Sequence, residues 1–145
     1  MQIIPFEIEH FDAMDLGPDS LVSRDRRPLF EAYPKVGPAV TLLNDTMEPI
    51  ACAGVLVMWE GLGEFWMIPS RYVPKYPKTV WKEAKDFVNG SIAKFNLHRV
   101  QATVREADET ATRWIERLGF QKEGVLRCFG ANGENHVMYS RVKNV

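Results

Sequence analysis

Residues 107–120 read Ala-Asp-Glu-Thr-Ala-Thr-Arg-Trp-Ile-Glu-Arg-Leu-Gly-Phe, and this stretch decides the fold. Ala111, Trp114, Ile115 and Leu118 fall at helical spacing and form one apolar stripe, while Glu109, Thr110, Thr112, Arg113, Glu116 and Arg117 cover the other face. Asp108 is placed to accept from the free amides of the first turn, and the acid-first, base-last order of charges complements the helix dipole. Gly119 supplies the left-handed residue that ends a helix, and Phe120 can pack back onto it. Burying the four stripe residues contributes about 6 to 12 kcal/mol before ordering entropy. The sequence predicts a complete capped helix here, entered from a strand.

The surroundings of that helix supply the other elements. Arg99 to Val104 alternates as the preceding strand, and Gly124–Phe129 with His136–Val142 flank a Gly-Ala-Asn-Gly-Glu-Asn loop as a hairpin. Upstream, Val80, Trp81, Ala84, Phe87, Val88, Ile92 and Phe95 recur at helical spacing from Pro77, a residue suited to a first helical turn. Ala39–Leu43, Ile50–Trp59 and Glu64–Ile68 are β-branched or aromatic runs separated by turn composition, which predicts an antiparallel meander. A strand over Gln2–Ile8 and a short helix over His10–Leu16 precede them. Ser20–Gly37, polar and proline-rich apart from two helical turns over Arg27–Tyr33, is expected to be a mobile cover over one edge. The strand-helix-strand passage from Glu64 to Val104 makes those two strands parallel neighbours.

The chain of 145 residues, 46% hydrophobic and 26% charged, suits one globular domain spanning 1–145. Its 18 basic and 19 acidic residues leave a net charge of -1, which argues against a dedicated nucleic-acid binder. The longest apolar run, Ile50–Trp59, is too short to span a membrane, and no basic n-region opens the chain, so a cytoplasmic protein is expected. Cys52 and Cys128 are expected as reduced, buried thiols. His10, His98 and His136 are too scattered for a metal signature, and no metal is expected.

In element order, and in Asp108-x-x-Ala111, Leu118-Gly119-Phe120 and Glu123-Gly124, the chain resembles the Gcn5-related N-acetyltransferase superfamily over nearly its whole length. Asp108 stands where that family usually has asparagine. Gly124-Val-Leu-Arg127 and Val137-Met-Tyr139-Ser140 look like the last hairpin of its ribosomal-protein branch. The texture of Gly37–Leu43, Ala51–Val55 and Glu64–Met67 is similar to phage- and prophage-encoded members. The resemblance implies an α/β (α+β) single domain: a mixed, mostly antiparallel sheet of six to seven strands, helices on both faces, and a splayed parallel pair.

It also implies direct acetyl transfer from acetyl-CoA to a primary amine of a small molecule or protein. Backbone groups at Met67 and Ile68 would pair with the pantetheine, the helix start at Lys78, Thr79 and Val80 would meet the pyrophosphate, and Asp108 would border the thiol. The family's glycine-rich phosphate loop is absent: residues 69–80 contain no glycine, and Pro74 and Pro77 remove two amide donors. Lys75 and Lys78 supply charge there, or are solvated side chains only. Ile115 occupies the position of the family's usual acidic tyrosine, so Tyr139 or Tyr72 would replace it, or both are packing and loop residues. Glu64 is the candidate general base, or a strand-end carboxylate. Cys52 as an acyl-carrying nucleophile has no neighbour in sequence to lower its pKa. Further partners implied are a second copy of the chain or virion components. The competing reading is a catalytically degenerate, virion-associated member serving phage structure or assembly.

Overall fold

The computed structural model describes residues 1–143. Its strands are β1 (Gln2–Pro5), β2 (Ala39–Leu43), β3 (Pro49–Trp59), β4 (Leu62–Pro69), β5 (Arg99–Arg105), β6 (Gln121–Leu126) and β7 (His136–Val142). They form one sheet in the order β1-β2-β3-β4-β5-β7-β6. Every neighbouring pair is antiparallel except β4 and β5. The helices are α1 (Ile8–Ala13), α2 (Arg27–Ala32), α3 (Pro77–Phe95) and α4 (Glu109–Arg117).

The caps of α4 are those its sequence specifies. Asp108 accepts from the Ala111 amide at 3.0 Å. Beyond Leu118, Gly119 takes φ +89° and donates to the Glu116 carbonyl, while Phe120 donates to that of Ile115, which closes the C-terminus with paired reversed bonds. Ile115, Leu118 and Phe120 are buried in one cluster. Helix α3 begins at Pro77 and ends at Asn96, whose φ of +50° lets Leu97 donate back to Ile92.

Alternation along β4 separates the two faces of the sheet. Phe65 and Met67 pack with Ala84, Val88 and Ile115 of α3 and α4. Trp66 and Ile68 pack with Phe11 and Phe30 of α1 and α2. The expected sheet, with helices on both faces and one parallel pair, is therefore the observed architecture.

Four local expectations are corrected. β1 stops at Pro5, which has no amide to donate, and α1 starts at Ile8, where the Glu7 amide donates to His10 Nδ1 at 3.1 Å. Residues 20–37 cover a face rather than an edge, because Phe30 and Tyr33 stack against Trp66 on β4. β6 begins at Gln121, directly after the glycine turn, and ends at Leu126 instead of running from Gly124 to Phe129. Cys128 consequently lies in the connecting loop, exposed and at φ +57°, while Cys52 is buried as expected.

Gly54 lies flat beneath the indole of Trp66, where an added Cβ would come within 2.6 Å of the ring. Phe6 and Tyr33 hold that ring from its other sides. Gly54→Ala should therefore cost about 1–3 kcal/mol by overpacking, read as a lower urea midpoint with an unchanged slope. An unchanged midpoint would show that the ring has room to retreat.

Candidate active site at the parting of two parallel strands

β4 and β5 pair over three positions only, Leu62 with Arg99, Gly63 with Val100 and Glu64 with Gln101. Beyond that they diverge, β4 continuing to Pro69 beside β3 and β5 to Arg105 beside β7. The Ser70 amide donates to the Ile50 carbonyl, so the hydrogen-bonded pairs of the β3–β4 ladder are Ile68 with Cys52 and Trp66 with Gly54. Phe65 and Met67 therefore turn their amides and carbonyls away from β3 and into the gap. By the same alternation the Lys143 amide, bonded to His98, ties Ala102 and Val104 to β7 and leaves Thr103 facing the gap. Met67 thus has an open backbone, while the backbone of Ile68, which the resemblance implied would face the cosubstrate as well, is engaged by β3 and its side chain is buried.

At the far end of β4, residues 70–76 form a turn and a short 3-10 segment leading into α3. The Val80 amide donates to the Tyr76 carbonyl and its side chain is buried. Among the described residues the amides of Lys78 and Thr79 have no partner, as expected for a first helical turn. Lys75 lies 5.1 Å over the Tyr72 ring, and the Tyr72 hydroxyl donates to Asp15 at 3.3 Å. Trp114 of α4 joins Met67 and Val80 in an apolar cluster, so both helices border the gap on one side.

Glu64 stands at the last paired position, on the opposite face. Its Oε1 accepts from Gln101 Nε2 at 3.2 Å, and the Gln101 oxygen accepts from Arg99 Nε at 3.0 Å. Arg99 grips both oxygens of Glu123 at 2.6 and 2.9 Å, and Ser140 donates to the same carboxylate. Glu123 reaches this face because it is the extra residue between Lys122, paired with Tyr139, and Gly124, paired with Met138. Arg99 first and Ser140 second hold its pKa down at about 2. On the same face, burial and then the Glu64 charge push the half-buried Tyr33 phenol above its ordinary value.

Tyr139 lies on the helical face, 3% exposed, beneath α4. Burial and then the charge of Glu116 raise its pKa, while a bond with Thr112 lowers it. Ile115 is buried in the same cluster, and Asp108 is engaged as the α4 cap. The structure therefore brings Glu64 and the Met67 backbone to the parting, places Lys75, Lys78 and Thr79 at the α3 start, and sets Tyr139 inside the core.

Cys52 contacts the Thr41 hydroxyl at 3.5 Å, and burial pushes its pKa up to about 11, which keeps it a thiol. His10 meets the same hydroxyl at 2.8 Å, whereas His136 pairs with Glu134 at 3.4 Å and His98 is exposed against Gly61. The sequence reading missed the chain from Gln101 to Glu123. Its signal was present in the polar alternation of Arg99, Gln101 and Thr103 along a strand whose other face is Val100, Ala102 and Val104.

No family model matches the sequence, and no curated protein matches it. Among solved structures the chain is similar to a ribosomal-protein-S5-alanine acetyltransferase from Vibrio fischeri, at 15% identity and a TM-score of 0.70 over 99% of this chain and 93% of that one. It is also similar to a spermidine N-acetyltransferase chimera from Vibrio cholerae and hSSAT, at 15% identity and a TM-score of 0.78 over 97% and 94%. At such identity the likeness establishes a shared fold. The phage-like texture of the sequence gains no support from it. No helix among the described residues is long and apolar enough to cross a membrane.

The Glu123 shift has a consequence for stability. Its pKa falls from an ordinary 4.5 to about 2 on folding, so its contribution is complete above 4.5 and is lost as pH falls toward 2. The carboxylate is 39% exposed, and water reduces the effect. Glu123→Gln should lower the urea midpoint at pH 6 and flatten its pH dependence between 4.5 and 2. A variant that loses stability over that window as steeply as the parent would rule the pair out as the source.

Proposed function

We propose that this chain is an N-acetyltransferase that uses acetyl-CoA as cosubstrate and transfers the acetyl group directly to a primary amine of a small molecule or protein. One observation carries the reading: a carboxylate stands where β4 and β5 part, and beyond it the Phe65 and Met67 backbone is open on one side and Thr103 on the other. An extended amide-bearing arm is the chemistry that such an open rim accepts, since it restores the missing strand partner.

The chain's residues fit the parts of that cosubstrate unequally. Met67 would pair with the pantetheine amides, and Ile68 forms the buried wall behind it. The free amides of Lys78 and Thr79, with the charges of Lys75 and Lys78, would meet the pyrophosphate at the α3 start. Val80 contributes packing there, its amide being taken by Tyr76. Pro74 and Pro77 supply no donors, so this contact is weaker than a glycine-rich loop provides. Asp108 fixes the start of α4 beside the reacting end.

Glu64 would accept the proton of the attacking amine, directly or through one water, as the nitrogen forms its bond to the acetyl carbon. The tetrahedral intermediate then collapses, the carbon–sulfur bond breaks, and the thiolate takes up a proton. Tyr139, a phenol beneath α4 on the helical face, is the proposed donor. An acceptor approaching on the Glu64 face meets Tyr33 and Gln101.

A second reading, an acetyltransferase-like module without catalysis, is favoured by the buried Ile115 and the proline-bearing loop. Acetyl-CoA titration by thermal shift, followed by thiol release over a broad amine panel, separates the two. At a hundredfold excess over its Kd the ligand should stabilise the protein by about 2.7 kcal/mol. A shift with turnover supports the transferase, a shift without turnover leaves an acyl-CoA binder, and neither supports the non-catalytic module. Within the transferase, Tyr139→Phe should lower kcat, and unchanged kcat would assign the thiolate's proton to solvent.

A further inference from the structure

We infer that Gln101 is a positioning residue for Glu64, and that Arg99, locked by Glu123, fixes which end of the Gln101 amide faces it. The inference rests on Glu64 acting as the base.

The argument is one of donors and acceptors. A guanidinium can only donate, so the Gln101 atom facing Arg99 Nε at 3.0 Å must be the oxygen. The amide nitrogen is thereby turned toward Glu64, 3.2 Å away, and an ionised carboxylate can only accept. A flipped amide would set its NH2 against a guanidinium, two donors with no acceptor, and its oxygen against a carboxylate, two acceptors with no hydrogen. Arg99 in turn cannot rotate freely, because both its terminal nitrogens are taken by Glu123. Glu123 is itself held by Ser140 and projects to this face through the bulge in β6.

The placement is what makes this chain more than a surface network. Glu64 and Gln101 form the last pair of the parallel ladder, so the clasp lies at the point from which the gap opens. Glu64 is half-buried, forms no ion pair among the described residues, and has the Gln101 amide as its side-chain hydrogen-bond partner. A carboxylate held by one neutral donor keeps its second oxygen free for a proton. A direct pair with Arg99 would have tied up both oxygens.

A double-mutant cycle on the full chain tests the assignment, with acetyl-CoA and the amine from the panel that gives the fastest thiol release. Gln101→Met should lower kcat by about ten-fold or more, the effect of losing one hydrogen bond to a charged group, with KM within about two-fold of the parent. In a Glu64→Gln background the same change should lower kcat by less than about two-fold, because the group it orients is gone. Arg99→Lys, which keeps a donor against the Gln101 oxygen, should retain more kcat than Arg99→Met. Circular dichroism melts confirm that each variant is folded. If Glu64→Gln lowers turnover sharply but measurably while Gln101→Met leaves kcat unchanged, or acts equally in both backgrounds, the positioning role is overturned and the base stands. If Glu64→Gln leaves turnover unchanged, or no amine is turned over, the base assignment falls and takes the positioning role with it.

Discussion

β4 cannot serve two partners along its whole length, and the site follows from that constraint. β3 claims it from Leu62 to Pro69, while β7 claims β5 from Arg99 to Arg105, and the parallel contact between them lasts only from Leu62 to Glu64. Past that point Phe65, Met67 and Thr103 carry backbone donors and acceptors with no strand to meet them. Such groups need water or a ligand, since leaving them buried and unpaired is costly. A sheet that closed fully here would be more stable and would have nothing to bind with.

The two faces divide the labour around that gap. On the helical face, Ile115 and Tyr139 extend the apolar core to the underside of α4. On the other face, α1 and α2 cover the sheet as far as Trp66, and the polar side chains of β5, β6 and β7 lie beyond it. Glu64 sits at the boundary between apolar cover and polar strand, half-buried and still hydrogen-bonded. Its environment comes from the register of four strands rather than from any one segment.

That distinction explains what could be read from the residues alone. Ala39–Leu43, Pro77–Phe95 and His136–Val142 were legible to the residue because each carries a clean period bounded by proline, glycine or turn composition. The cap at Asp108 and the turn at Gly119 were legible for the same local reason. The start of β6 was not, because a bulge at Glu123 interrupts alternation where the strand is real, and Cys128 was misplaced with it. The cover formed by Phe30 and Tyr33 was missed as well, since their contact with Trp66 joins segments more than thirty residues apart. Glu64, Met67 and the α3 start were named through the resemblance, whereas the partners of Glu64 required knowing that residue 64 lies level with residue 101.

The route of the chain across the sheet adds a mechanical property. Strands β1 to β4 come from residues 2–69 and strands β5 to β7 from residues 99–142, so each group is contiguous, and α3 is the single covalent crossing between them. The two groups meet at the short ladder from Leu62 to Glu64, at the Glu64–Gln101 hydrogen bond, and in a shared core where Val55 and Phe65 join one buried cluster with Val100, Ile115 and Phe120. The indole of Trp81 on α3 donates to the Arg117 carbonyl on α4 at 3.3 Å, a tether from the crossing helix to the second group. The width of the opening is therefore fixed jointly by three rungs, one tether and the core that both groups share beneath α3 and α4.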